Sequence, residues 1–64
     1  MKRADLIRHI QSHGCVFVRE GGNHTVYRNP TTGSSTTVPR HRDIKKQIAR
    51  KICDDLGIPR LYGN

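Results

Sequence analysis

The run "GGN", Gly21 to Asn23, separates two segments of strand character and limits more than any other feature what this chain can fold into. Before it stands "CVFVRE", Cys15 to Glu20, dense in β-branched and aromatic residues; after it "HTVYR", His24 to Arg28, alternates in polarity. Tight hairpin turns that match strand twist need positive φ, which glycine and asparagine tolerate best. The spacing therefore predicts a β-hairpin whose turn ends directly at His24, with Val26 facing inward and Tyr27 opposite. "NPTTG" makes a second turn, and "SSTTV", Ser34 to Val38, reads as a polar third strand stopped by Pro39.

Helical patterns flank this sheet. From Lys2 to His13 the apolar residues Leu6, Ile7 and Ile10 recur at helical spacing, and Gly14 stands where a left-handed carboxy-terminal cap is wanted. After "PRHR", Asp43 is placed to cap or charge a second helix in which Ile44, Ile48, Ile52 and Leu56 form a stripe broadened by Ala49 and Cys53. Gly57 ends it and Pro59 prevents its return. With no repeat or linker, residues 1–64 read as a single domain. The expected class is α+β: helix, three antiparallel strands, helix, in two layers, with both apolar stripes on one face of the sheet and the other face wet.

Charge and size narrow the function. Twelve Lys and Arg against five Asp and Glu give a net charge of +7, a balance that attracts polyanions and points to nucleic acid. A chain of 64 residues without tryptophan cannot also enclose a deep pocket for a large organic cofactor, so no small-molecule cofactor is expected and chemistry belongs on an open surface. No run approaches the roughly 18 apolar residues of a membrane span, and the amino terminus lacks the apolar core of a signal peptide, so the chain reads as cytoplasmic with no membrane partner. Cys15 and Cys53 lack a Cys or His at zinc-site spacing and read as small core residues. No metal site is expected: the acids are scattered, only Asp54 and Asp55 adjoin, and a two-metal nuclease is disfavoured.

Of four histidines, His9 and His13 lie four apart on the first helix, where they read as surface residues. His24 differs, because a rigid turn fixes it at the rim of the sheet, half sheltered and within reach of a large substrate. Imidazole is the side chain whose ordinary titration range lies nearest neutrality, which suits a general base. A rim histidine that only satisfies a hairpin hydrogen bond fits the same residues, and the pattern alone leaves both readings open. Around it, Gly22 lets backbone amides approach a phosphate, Asn23 can bond to sugar or phosphate, and Tyr27 can stack a base. Arg28, Arg40 and His41 bracket the sheet end. For RNA, one base suffices to deprotonate a 2′-hydroxyl, a nucleophile DNA lacks. A pure RNA-binding module using Lys45, Lys46, Arg50 and Lys51 on phosphates is the rival reading.

Taken together, "KRADLIRHIQSHGC", "REGGNHTVYRNP", "VPRH" and the basic isoleucine-rich segment ending in "DLGIP" resemble the HicA toxin family of small bacterial messenger RNA interferases. The most specific part is the Gly-x-His hairpin with its nearby aromatic, in order with the downstream Val-Pro-Arg-His. The resemblance covers almost the whole chain and implies a double-stranded-RNA-binding-domain-like fold. It also implies a metal-independent endoribonuclease with His24 catalytic and a HicB-like antitoxin, encoded nearby, that covers the site; the RNA contacts expected from the residue pattern itself are Gly22, Asn23, Tyr27, Arg28, Arg40, His41, Lys45 and Lys46. Two positions depart from the family pattern: Asn23 stands where many members have serine, and the second helix lacks their Gly-Thr-Leu start.

Overall fold

In the computed structural model, which describes residues 1–61, the chain runs α1 (Arg3–Ser12), β1 (Val16–Gly21), β2 (His24–Asn29), β3 (Ser34–Pro39), α2 (Lys46–Leu56). The strands form an antiparallel sheet in the order β1-β2-β3. This is the expected helix, three strands, helix arrangement, and it follows from the glycine punctuation. Gly14 closes α1 at φ 86° and its N–H donates to the Gln11 carbonyl at 3.0 Å; Gly57 closes α2 at φ 68°. Both take a left-handed conformation that a Cβ makes costly.

One buried cluster joins the layers: Leu6 and Ile10 from α1, Tyr27 and Val38 from the sheet, and Ala49, Ile52, Cys53 and Leu56 from α2, with Cys15, Ile44 and Ile58 between elements. Both helices thus cover the same face. Cys15 and Cys53 are free and buried, and burial pushes both thiols above their ordinary range. Among the described residues no helix is long and apolar enough to cross a membrane.

Strand β2 reverses the expected parity. Thr25, Tyr27 and Asn29 are the buried residues, whereas His24 and Arg28 are exposed and Val26 is half-buried on the outer face. Valine is the more apolar residue, but the tyrosine ring offers the core more area and meets Phe17 edge to face at 6.2 Å between centroids. The two polar inward residues are compensated by partners distant in sequence. Asn29 Nδ2 donates to the Leu56 carbonyl at the end of α2 at 2.8 Å, while its Oδ1 accepts from the Thr31 N–H at 3.0 Å. The turn after β2 closes with the Gly33 N–H on the Asn29 carbonyl at 2.8 Å. One side chain therefore ties the second turn to the second helix.

Two further departures concern the ends of elements. Helix α2 begins at Lys46, and Asp43 does not cap it: Asp43 pairs as an isolated antiparallel bridge with Lys2, and the Ile44 N–H donates to the Met1 carbonyl at 2.7 Å. Ile44 enters the core from this extended segment, so the helical stripe starts at Ala49. At 100° per residue, Ile48 lies about 90° from the middle of the Ala49, Ile52, Cys53, Leu56 face. It is accordingly 40% exposed instead of core. In β1 the pairing slips between Phe17 and Arg19, a bulge that leaves Val18 unpaired on an edge strand whose Val16, Phe17 and Val18 are exposed.

Replacing Asn29 with Ala strands the Leu56 carbonyl and the Thr31 amide, and is expected to cost about 2 kcal/mol in urea-induced unfolding. A loss below about 0.5 kcal/mol contradicts the tie. In the native protein both thiols should resist a thiol reagent such as 5,5′-dithiobis(2-nitrobenzoate) and react promptly only in denaturant.

Candidate active site

The hairpin turn before His24 has two residues, Gly22 and Asn23, with Gly21 paired to His24 across it. Positive φ occurs only at Gly22, 58°, the pattern of a II′ turn with glycine first. The Asn23 carbonyl accepts from the Arg40 N–H at 3.0 Å, which continues the β2–β3 pairing beyond Pro39, the partner of His24. His24 is thus bracketed by ladder bonds on both sides, and its backbone position is fixed by three strands. Its side chain is exposed, more open than the half-sheltered rim expected, because the neighbouring turn offers a glycine and a short exposed asparagine as cover.

The imidazole opens onto a shallow groove of about 140 Å³ between the β3 edge and α2. Thr36, Thr37 and Pro39 form the strand side; Ile48, Lys51, Ile52 and Asp55 form the helix side. Within it the Asp55 carboxylate receives the Lys51 ammonium at 3.0 Å and the Thr36 hydroxyl at 3.2 Å, both on Oδ2. The Lys51–Asp55 pair is well exposed, so it stabilises little and is easily exchanged for another anion. An imidazole, an ammonium whose carboxylate partner is exchangeable and the Thr37 hydroxyl on one groove suit a phosphodiester.

A partly buried network braces the sheet beside His24. Arg3 of α1 donates through Nε to the Pro39 carbonyl at 2.9 Å and through Nη2 to Thr25 Oγ1 at 2.8 Å. Thr25 Oγ1 in turn donates to the Glu20 carboxylate at 3.1 Å, and Glu20 is paired with Arg40 at 3.2 Å. Arg3 therefore connects the two residues that flank His24 along and across the sheet.

The other expected contact residues divide. Gly22 and Asn23 form the turn itself. His41 and Lys45 line a neighbouring groove of about 440 Å³ together with Pro39, Asp43, Ile44 and Ile48. Arg40 lies at the His24 end but is engaged by Glu20. Lys46 is exposed at the start of α2 and lines neither groove. Two expectations are corrected. Tyr27 is only 6% exposed, so its ring is a core group and cannot stack a base. Arg28 does not share the sheet end with Arg40 and His41: four residues along β2 from His24 amount to roughly 13 Å, and its guanidinium lies beside Gly33 of the second turn.

Conversely, Thr36, Thr37, Ile48, Lys51 and Asp55 were not singled out by the sequence pattern as neighbours of His24. A partial signal was present, since positions 48, 51, 52 and 55 have the i, i+3, i+4, i+7 spacing of one helix face. Which strand that face meets is set only by the fold. The described residues contain no group of three or more His, Cys, Asp or Glu able to hold a metal ion, and Asp54 is engaged by Arg60 at 2.8 Å, which lowers its carboxyl below the ordinary range.

Residues 3–58 match the family model described as the HicA toxin of bacterial toxin-antitoxin. No curated protein and no solved structure matches the chain.

Because Arg3 is the donor to both Thr25 and the Pro39 carbonyl, Arg3→Met should lower stability by about 1–3 kcal/mol. Amide exchange at the hairpin tip, residues 22–24, should accelerate more than exchange in α2. Uniform acceleration across the chain contradicts a local bracing role.

Proposed function

The chain belongs to the HicA toxin family of bacterial toxin–antitoxin systems, and from that premise we propose that it is an endoribonuclease that cuts messenger RNA with His24 as general base. Its family membership makes it a toxin and implies an antitoxin partner. The observation that carries the catalytic reading is the exposure of one imidazole, held by a three-strand frame, on a groove that also presents the Thr37 hydroxyl and Lys51, the latter on an exposed, exchangeable pair with Asp55.

The reaction follows from those groups. Neutral His24 takes the proton of a ribose 2′-hydroxyl; the 2′-oxygen attacks the adjacent phosphorus in line; the bond from phosphorus to the 5′-oxygen breaks. The products are a 2′,3′-cyclic phosphate and a 5′-hydroxyl, the proton on the latter coming from the imidazolium or from water. General-base assistance of this kind contributes about 10²–10⁴-fold. A cation near the phosphoryl oxygens stabilises the charge that accumulates as the pentacoordinate phosphorane forms, and Lys51 is within the groove to provide it. No metal ion enters these steps. The net charge of +7 and the openness of the groove favour an acidic cover, and a HicB-type antitoxin encoded beside this gene is the partner we propose.

The purified chain is expected to cleave single-stranded RNA in excess chelator, to leave cyclic phosphate ends, and to spare an all-2′-O-methyl copy of the same RNA. His24→Ala should reduce the rate about 10²–10⁴-fold with little change in RNA affinity. A requirement for added divalent metal, or undiminished cleavage by His24→Ala, rejects the mechanism. Tight binding without any cleavage by the wild-type chain favours an RNA-binding module instead.

A further inference from the structure

The groove at His24 and the larger groove beside it share two lining residues, Pro39 and Ile48. Ile48 is the one exposed large apolar side chain of α2 among the described residues, and the core is closed without it. Its neighbours on the helix are unevenly charged. Lys51 lies on the His24 side, and Lys45, just before the helix, lies on the His41 side. Each lysine is three positions from Ile48, so the Cα atoms of Lys45 and Lys51 lie about 9 Å apart along the helix direction with that of the isoleucine midway. The surface alternates cation, apolar saddle, cation, with one carboxylate in each groove, Asp55 beside Lys51 and Asp43 on the Lys45 side. That is the profile of a single nucleic acid strand, whose phosphates alternate with flat bases of low polarity.

We propose that unpaired RNA lies along this edge of α2. The phosphate to be cleaved sits between His24 and Lys51, the adjoining base rests on Ile48 and Pro39, and the next phosphate meets Lys45 and His41. The assignment rests on the reading of the chain as an RNA-cleaving toxin and extends it by giving the substrate a path and a specificity-determining residue. Lys51 reaches the phosphate by exchanging the Asp55 carboxylate for a phosphoryl oxygen, while the Thr36 hydroxyl stays on Asp55. A nucleotide inside a duplex has both faces stacked on its neighbours and cannot cover Ile48. The site therefore selects RNA with an unpaired nucleotide next to the cleaved bond.

The decisive experiment compares wild type, Ile48→Ser and Ile48→Phe on one short RNA, single-stranded and annealed to its complement. The same variants are titrated with the purified antitoxin. Circular dichroism checks each fold, which the half-exposed position should preserve. For the single strand, Ile48→Ser should raise KM about tenfold with kcat within about twofold, and Ile48→Phe should restore or lower KM. The annealed substrate should be cleaved at least about tenfold more slowly by wild type. An unchanged KM in Ile48→Ser, with or without weaker antitoxin binding, overturns the path; weaker antitoxin binding alone assigns Ile48 to that interface. Equal cleavage of the duplex also overturns it. If wild type binds the strand without cutting it, catalysis by His24 fails separately, and a tenfold weaker Kd of Ile48→Ser by fluorescence anisotropy still supports the path. An unchanged Kd rejects both.

Discussion

The side chain of Asn29 is bonded at both ends, to the Leu56 carbonyl and to the Thr31 amide, and the parity of the central strand depends on it. An amide buried without partners costs several kcal/mol, so once Asn29 points toward the helices it must keep both bonds. Period-two alternation then sends Thr25 and Tyr27 to the same side and His24 to the other. Tyr27 fills the core between the sheet and the helices. His24 is left at the open end of the strand because an inward residue five positions later has been claimed by α2. The location of the imidazole is thus a consequence of core architecture.

Polar bracing continues at the His24 end. Arg3, the Pro39 carbonyl, Thr25, Glu20 and Arg40 form a chain of bonds that spans α1 and all three strands, and the Met1 ammonium donates to the Ile44 carbonyl. A chain this short has a small apolar core, and directional bonds between distant segments give it a defined shape at the hairpin end. They also decide where positive charge remains. Asp5, Glu20, Asp54 and Asp55 each face a cation, so four acids are spent on local pairs. The exposed pair of Lys51 and Asp55 alone lies in the His24 groove, where it is open to exchange.

The order of elements was legible because it is written in local chemistry. Glycines with positive φ end both helices and open the hairpin at the expected positions, and Gly22-Asn23 leaves His24 as the first residue of β2. The family resemblance, carried by the same hairpin and by "VPRH", agrees with the family match over residues 3–58. What misled was ranking residues by apolarity alone. Val26 looked inward and Ile48 looked like core, yet Thr25 and Asn29 entered the interior on partners from other elements. Ile44 reached the core from an extended segment and so shifted the helical stripe away from Ile48.

By itself, then, the sequence determined the succession of helix and strand, the turn that presents His24, and the net charge of +7. Those depend on backbone preferences and composition, which act over a few residues or over the whole chain without regard to shape. Only the tertiary structure decided which face of β2 is buried, which end of the sheet keeps Arg40 and His41 and loses Arg28, and which side of α2 meets the imidazole. These are choices between faces, made by bonds such as Asn29 to Leu56 that join residues far apart in sequence, and no local pattern encodes them.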